Sequence, residues 1–192
     1  MEMKKNNVLR EEIEIPNGIS ASIEDKKIIL KKGNEEVSRN PNPKIKIEVK
    51  DNKIILSSER ATRKEKKVFG SIKAHIKNMI NGFDNKFKYK LQVASVHFPM
   101  TLSHDKNTNE LVVKNFLGEK KDRRLKILPG VDVKINKDIV ELESNDIEKA
   151  GQSATNIEKG TKIRFRDRRV FQDGIFIIEK PGRSYLWWTD KY

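Results

Sequence analysis

The fold class is decided by Ile45-Lys46-Ile47-Glu48-Val49-Lys50-Asp51-Asn52-Lys53-Ile54-Ile55-Leu56, residues 45–56. The first five side chains alternate apolar and polar, which is typical of a strand with one buried face. Asp51-Asn52 is a turn signal, and the apolar run after it is predicted to be the returning strand of a hairpin.

A helix is predicted after this hairpin, over residues 63–81. Thr62 suits the N-cap position, and Glu65 three residues later completes a capping box. Gly82 stands where a left-handed residue would end the helix. The apolar stripe, which predicts the buried face of the helix, consists of Val68, Phe69, Ile72, Ile76, Met79 and Ile80.

Upstream of residue 45 the chain contains further short strands. Residues 13–15 are predicted to be a strand that ends at the turn signal Pro16-Asn17-Gly18. Residues 20–23 and 27–30 are predicted to pair as a hairpin, and Asn40-Pro41-Asn42-Pro43 breaks the chain after it.

The second half of the chain repeats this pattern. A second helix is predicted to start near Asn145, with Glu148 as its capping partner, and to end at Gly160. Its apolar stripe consists of Ile147, Ala150, Ala154 and Ile157. The strands predicted before it are residues 110–114, 125–128, 131–135 and 139–142, with a turn at Gly118 and a hairpin loop over 103–109.

This internal repeat predicts an α+β fold with two similar small domains, each an antiparallel sheet with one helix packed on a face. The expected domains are residues 1–85 and 86–181, followed by a C-terminal tail over 182–192. Residues 83–90 join them and are expected to run as a strand into residues 91–98. Gly70 and Gly151 occupy matching places in the helices, which predicts a close approach of each helix to a sheet backbone.

The composition narrows the function. The 192 residues carry a net charge of +13 and include no cysteine. No disulfide scaffold, zinc–cysteine site or thiol nucleophile is therefore expected. No apolar run approaches the roughly 20 residues that span a bilayer, and the start of the chain does not resemble a signal peptide, so we expect a soluble cytosolic protein. The excess of positive charge favours a polyanionic partner, with nucleic acid ahead of an anionic membrane surface.

No catalytic constellation is present in the sequence. There is no phosphate-binding P-loop and no dinucleotide-binding glycine motif. Gly151-Gln152-Ser153-Ala154-Thr155 begins like a nucleophile elbow, but it lacks the final glycine and lies in a predicted helix. No two of His75, His97 and His104 have metal-ligand spacing. We therefore expect neither an enzyme nor a bound cofactor or metal.

Basic residues form three clusters. If residues 162–168 are extended, their alternate cations share one face at about 6.6 Å spacing, which could follow a phosphate backbone, while Ile163 and Phe165 face the core. The alternative is a solvated basic surface, in part neutralised by the acidic residues of 141–148. The clusters are Lys120, Lys121, Arg123, Arg124 and Lys126; Lys162, Arg164, Arg166, Arg168 and Arg169; and Arg60, Arg63, Lys64, Lys66 and Lys67.

Aromatic residues are concentrated in the tail. Tyr185, Trp187, Trp188 and Tyr192 lie there, including both tryptophans of the chain. Base stacking, docking on a neighbouring protein and packing over the second sheet are all compatible with this composition.

Several strings resemble one family, the large-subunit ribosomal protein numbered six in bacteria and archaea and nine in eukaryotes, in its archaeal and eukaryotic branch. The tail does not match its pattern. The strings occur in the family's order and are Phe69-Gly70, Ile76-Lys77-Asn78-Met79-Ile80, Phe87-Lys88-Tyr89-Lys90, His97-Phe98-Pro99, Asn115-Phe116-Leu117-Gly118-Glu119-Lys120, Pro129-Gly130-Val131, Ser144-Asn145-Asp146-Ile147-Glu148, Phe171-Gln172-Asp173-Gly174-Ile175 and Glu179-Lys180.

The resemblance implies a structural constituent of the large ribosomal subunit in the cytoplasm, made of two duplicated α+β domains. It implies large-subunit rRNA and neighbouring ribosomal proteins as partners, near the region where translation factors dock, and no membrane or small-molecule substrate. A free-standing architectural nucleic-acid binder that reads backbone charge only is the alternative. The family resemblance implies RNA-binding residues in the second domain. They are Lys120, Lys121, Arg123, Arg124, Arg164, Arg166, Arg168, Arg169 and Lys180.

Overall fold

The structure, a computed structural model, describes residues 9–24, 27–50, 52–58, 62–167 and 169–185. It divides into two compact units at the Asn85–Lys86 junction. Antiparallel strands and one α-helix make up the described part of each unit, so the predicted α+β fold class is confirmed.

The first unit contains two antiparallel sheets instead of the single sheet expected. Their strand orders are β1-β6-β5 and β2-β3-β4. The predicted hairpin is formed by Lys46–Lys50 and Lys53–Ser58, with Ile47 opposite Leu56 across β5 and β6. The elements are β1 (Leu9–Glu14), β2 (Ser20–Glu24), β3 (Lys27–Lys32), β4 (Glu35–Arg39), β5 (Lys46–Lys50), β6 (Lys53–Ser58) and α1 (Arg63–Asp84).

Helix α1 begins as predicted and ends later than predicted. Thr62 and Glu65 form the capping box. Gly82 does not end the helix, because Phe83 continues the buried stripe and both residues are buried. The helix instead ends after Asp84, where the N–H of Asn85 donates to the carbonyl of Asn81. Phe69, Ile72, Ile76, Met79 and Ile80 of the predicted stripe are buried against the sheets.

The second unit also contains two antiparallel sheets, a five-stranded one ordered β11-β12-β7-β13-β14 and a three-stranded one ordered β10-β9-β8. Helix α2 contacts strands of both. The elements are β7 (Phe87–Ala94), β8 (Thr101–Asp105), β9 (Glu110–Lys114), a 3-10 turn (Phe116–Gly118), β10 (Arg123–Lys126), β11 (Asp132–Asn136), β12 (Ile139–Ser144), α2 (Ile147–Gly160), β13 (Gly174–Lys180) and β14 (Arg183–Ser184).

Several boundaries in this unit differ slightly from the prediction. Helix α2 is capped by Asp146, whose carboxylate accepts from the N–H of Glu148, so it starts after Asn145. It ends at Gly160 as predicted, and Ala150, Ala154 and Ile157 are completely buried. The loop expected over residues 103–109 is shorter, because β8 continues to Asp105.

The paired helical glycines do not approach a sheet backbone as expected. Gly70 is exposed, and a Cβ there would meet nothing within 4 Å. A Cβ at Gly151 would lie 2.8 Å from the Tyr89 hydroxyl oxygen. Gly151 therefore makes room for a buried tyrosine side chain, and burial raises the pKa of that Tyr89 hydroxyl.

Neither helix in the described part of the chain combines the length and the apolar character needed to cross a bilayer.

Candidate nucleic-acid interface

The second basic cluster forms a loop, not the strand expected. We call the described residues 162–167 and 169–170 the arginine loop; it follows the end of α2 and bends at Phe165 and Arg166. Ile163 is buried as predicted, but Phe165 has a left-handed backbone, with φ of 61°, and its side chain is fully exposed. The expected single row of Lys162, Arg164, Arg166 and Arg168 is therefore wrong for the first three; Arg168 lies outside the described residues.

Asp167 holds this loop in its turned conformation. Its carboxylate accepts a hydrogen bond from the N–H of Arg169 at 2.9 Å. Its carbonyl accepts from the N–H groups of Val170, at 3.2 Å, and Phe171, at 2.9 Å. An aspartate that bonds the backbone two residues on offers an alternative to strand pairing, which explains why the alternating pattern does not become a strand.

The base of the loop is fixed by a buried carboxylate. Asp173 is 2% exposed and accepts three hydrogen bonds: from the N–H of Val96 at 2.8 Å, the N–H of His97 at 2.9 Å, and His97 Nδ1 at 2.6 Å. Burial alone would raise the pKa of Asp173, but the bonds from His97 and Val96 outweigh it and hold the pKa below its usual value. The carboxylate thus joins the segment before β13 to the segment after β7.

Aromatic stacking continues from this carboxylate to the arginines. The His97 and Phe171 rings are stacked with centroids 4.9 Å apart. The guanidinium of Arg166 lies 4.8 Å from the centroid of the Phe171 ring. Asp173, His97 and Phe171 therefore position Arg166 through a continuous set of contacts.

Arg123 joins the first basic cluster to the end of α2. Its Nε and Nη2 donate to the two carboxylate oxygens of Glu119, and its Nη1 donates to the carbonyl of Gly160 at 3.0 Å. Its guanidinium also lies 3.9 Å from the centroid of the Phe116 ring. A cation at a helix C-terminus is favourable, so Arg123 mainly stabilises the fold and is less available to a ligand.

The ion pair of Glu119 and Arg123 brings the first basic cluster next to the start of the arginine loop. The pKa of Glu119 is lowered chiefly by the hydrogen bond from Arg123, and the charge of Arg166 lowers it further. Arg123 binds both Glu119 and the carbonyl of Gly160, so the turn that carries Lys120 and Lys121 lies beside the end of α2, where the arginine loop begins.

The candidate RNA-binding cations differ in exposure and in their partners within the protein. Lys120, Lys121, Arg164 and the Arg169 side chain are exposed and have no ion pair or hydrogen bond within the described part of the chain. Arg124 is exposed and lies 3.5 Å from a Glu110 carboxylate oxygen.

Lys180 is separate from the arginine loop. It lies at the end of β13, about 20 Å along the strand from Gly174. Its ammonium is 5.3 Å from the centroid of the Tyr185 ring, which the Arg183 guanidinium also contacts, at 4.8 Å. A ligand bound by Lys180 would therefore lie at the end of β13 that is remote from the arginine loop.

Other sequence expectations have different outcomes. The alternative was that the acidic residues of 141–148 neutralise part of the second cluster; Glu143 of this stretch instead forms ion pairs with Lys88 and Lys134. The described cations of the third cluster, Arg63, Lys64, Lys66 and Lys67, are exposed on the first turns of α1. Among the other residues singled out in the sequence, Arg60, Trp187, Trp188 and Tyr192 lie outside the described ranges.

Sequence reasoning missed the positioning role of Asp173, His97 and Phe171. Asp173 and Phe171 appear only in a string that carries the family resemblance, and nothing in the spacing of His97 and Asp173 brings them together. The signal available in the sequence was Asp173, an acidic residue just before the apolar strand β13 and two residues after the aromatic Phe171. Within the described ranges, no group of three or more His, Asp or Glu side chains could hold a metal ion.

One protein-family model matches the chain twice, in agreement with the internal repeat. Residues 15–86 and residues 105–174 match the family model described as Ribosomal protein L6. The chain belongs to the ribosomal protein L6 family, and the resemblance found in the sequence is confirmed.

The matching proteins include archaeal relatives, each named large ribosomal subunit protein uL6. The relative from Methanococcus vannielii is 38% identical over 177 residues, which are 92% of this chain and 96% of that protein. The relative from Sulfurisphaera tokodaii is 44% identical over 174 residues, or 90% and 92% of the two chains. The relative from Methanobrevibacter smithii is 39% identical over 173 residues, or 90% and 96%. These matches agree with the expected archaeal-like branch.

Proposed function

We propose that this protein is a structural constituent of the large ribosomal subunit in the cytoplasm and that its second unit binds large-subunit rRNA. Membership of the ribosomal protein L6 family and the names of its archaeal relatives support the first part. The observation that carries the second part is the surface formed by the arginine loop and Lys120–Lys121, joined by the hydrogen bonds of Arg123 to Glu119 and to the carbonyl of Gly160.

The chemistry of this surface suits folded RNA. Proteins recognise RNA duplexes mostly by shape, through phosphate and 2′-hydroxyl contacts, and arginine binds phosphate through paired donors. Arg164 and Arg169 are exposed and have no carboxylate partner among the described residues, so no internal ion pair must be broken before they bind. Arg166 is already oriented by Phe171, which reduces the entropy lost on binding.

Salt-dependent binding tests this proposal. The full chain is titrated against a large-subunit rRNA transcript from its own source, at several salt concentrations. In a plot of the logarithm of the association constant against the logarithm of the salt concentration, the slope should be negative. Each neutralised phosphate should contribute roughly 0.7–0.9 to its magnitude. Arg164→Ala and Arg169→Ala should each weaken binding by about tenfold. Each should also reduce the magnitude of the slope by roughly 0.7–0.9, the contribution of one phosphate contact.

Lys149→Ala is the matched control. It removes one positive charge at the opposite end of α2 from the arginine loop, about 15 Å away along the helix. It should leave both affinity and slope close to those of the wild type. Equal effects of all three substitutions would contradict a defined binding surface.

The alternative of a free-standing charge reader predicts a different outcome. Such a protein would bind the rRNA transcript and a scrambled RNA of equal length with equal affinity. A ribosomal protein should prefer the folded transcript and should co-sediment with large subunits from a lysate. The remaining expected contacts, through Lys120, Lys121, Arg124 and Lys180, are tested by the same titration.

The position near the factor-docking region, beside neighbouring ribosomal proteins, rests on the family resemblance. Since the chain has no cysteine, Val170→Cys, at an exposed and uncharged position of the arginine loop, creates a unique attachment point for an iron chelate. Hydroxyl radicals from this chelate in reconstituted subunits should cleave rRNA segments that translation factors protect. Cleavage confined to segments that no factor protects would contradict this position.

A further inference from the structure

Phe165 is an aromatic residue in an unfavourable position for the folded protein alone. Its side chain is fully exposed, so folding gains nothing from burying it. Its backbone is left-handed, with φ of 61°, a region that an aromatic residue rarely adopts. A strained and exposed aromatic residue is a feature that points to function.

The surroundings of Phe165 indicate what it contacts. Arg164 and Arg166 flank it in the chain, and Arg169 follows on the same loop. The loop is pre-formed, because Asp167 accepts hydrogen bonds from three backbone N–H groups. Phe165 is therefore a flat apolar side chain exposed on a turned loop with cations on both sides of it in the chain, and a nucleotide combines a flat aromatic base with an anionic phosphate.

We propose that Phe165 stacks on an unpaired base of the bound RNA, while Arg164 and Arg169 contact the flanking phosphates. This inference rests on the proposed function. The base must be unpaired, because bases inside an RNA duplex present only their edges to a protein. The arginine loop thus recognises a bulge, loop or strand end, and reads more than the backbone of a helix.

Affinity measurements with four full-length chains test this stacking. Phe165→Ala should weaken binding to the rRNA transcript by about 5- to 140-fold, the range that corresponds to one base–aromatic stack. Phe165→Trp should keep wild-type affinity, and Phe165→Leu should lose most of it. The thermal unfolding midpoint should not fall in any variant, because the side chain makes no internal contacts.

The salt dependence separates this inference from the proposed function. Phe165→Ala removes no charge, so its slope should equal that of the wild type, whereas Arg164→Ala should flatten the slope. Wild-type affinity in Phe165→Ala or in Phe165→Leu would overturn the stacking while leaving rRNA binding intact. Absence of rRNA binding by the wild-type chain would overturn both.

Crosslinking identifies the partner directly. p-Benzoylphenylalanine in place of Phe165 should crosslink, in reconstituted large subunits, to a single unpaired rRNA nucleotide mapped by reverse transcription. Crosslinks to a duplex segment, or to a ribosomal protein alone, would overturn the inference; the second result would mean that Phe165 docks in a protein pocket.

Discussion

Replacing Asp173 with alanine is expected to destabilise the second unit by about 2–4 kcal/mol. The carboxylate accepts three hydrogen bonds, and a bond to a charged group contributes roughly 1.5–3 kcal/mol. The sum is reduced because Val96 and His97 are exposed, so water can satisfy their donors after the substitution. The loss should nevertheless exceed that of an ordinary surface substitution.

Asp173→Asn gives this prediction a pH dependence. The pKa of Asp173 is lower in the folded protein than in the unfolded chain, so its stabilising effect is complete above the unfolded pKa of about 3.9. The effect is lost as the pH falls through the lower, folded pKa, where the carboxylate becomes protonated. The stability difference between wild type and Asp173→Asn should therefore be largest near pH 7 and shrink below about pH 4.

Urea unfolding with hydrogen exchange measured on peptides from β7 and β13 provides the assay, since these strands border the carboxylate. Asp122→Ala is the control, because Asp122 is an exposed carboxylate of the same unit. Its loss should stay below about 0.5 kcal/mol. A loss in Asp173→Ala no larger than in this control, or a wild-type advantage over Asp173→Asn that persists undiminished at pH 3, would refute the reasoning.

Three further substitutions test the packing and the role of Arg123. Gly70→Ala should stabilise the first unit by about 0.5–1 kcal/mol, because the added Cβ would meet nothing within 4 Å. Gly151→Ala should destabilise the second unit by about 1–3 kcal/mol, because the added Cβ would clash with Tyr89. Urea unfolding with hydrogen exchange measured on α1 and α2 peptides distinguishes the two effects. Arg123→Met should lower the thermal unfolding midpoint while leaving the salt slope of rRNA binding unchanged, because its guanidinium already binds Glu119 and Gly160. A flatter slope with unchanged stability would instead make Arg123 a phosphate ligand.

Local signals in the sequence predicted the elements well. The capping box at Thr62 and Glu65 fixed the start of α1, since its two hydrogen bonds join residues only three apart. The end of α1 was missed because burial of Phe83 outweighs the preference of Gly82 for a helix terminus. Alternation predicted strands but not their partners, so the division of each unit into two sheets could not be foreseen.

The candidate site was predicted in composition but not in shape. The cations of the arginine loop were identified, yet the alternation of Ile163 and Phe165 with arginine favoured a strand. The hydrogen bonds to Asp167 and the left-handed Phe165 override that pattern. The contact between His97 and Asp173 joins residues 76 positions apart, and no local pattern encodes such a contact.

Strand β7 has a consequence for the order of events during synthesis. It is the first strand of its sheet to be made, yet it pairs with both β12 and β13, so one edge stays open until the residues of β13 emerge. Lys88 and Lys90 alternate with the apolar residues of this nascent strand, and lysine discourages pairing with a neighbouring chain. When the later strands arrive, the same lysines form ion pairs with Glu143 of β12 and Glu179 of β13, so charges that protect the incomplete sheet become part of the finished one.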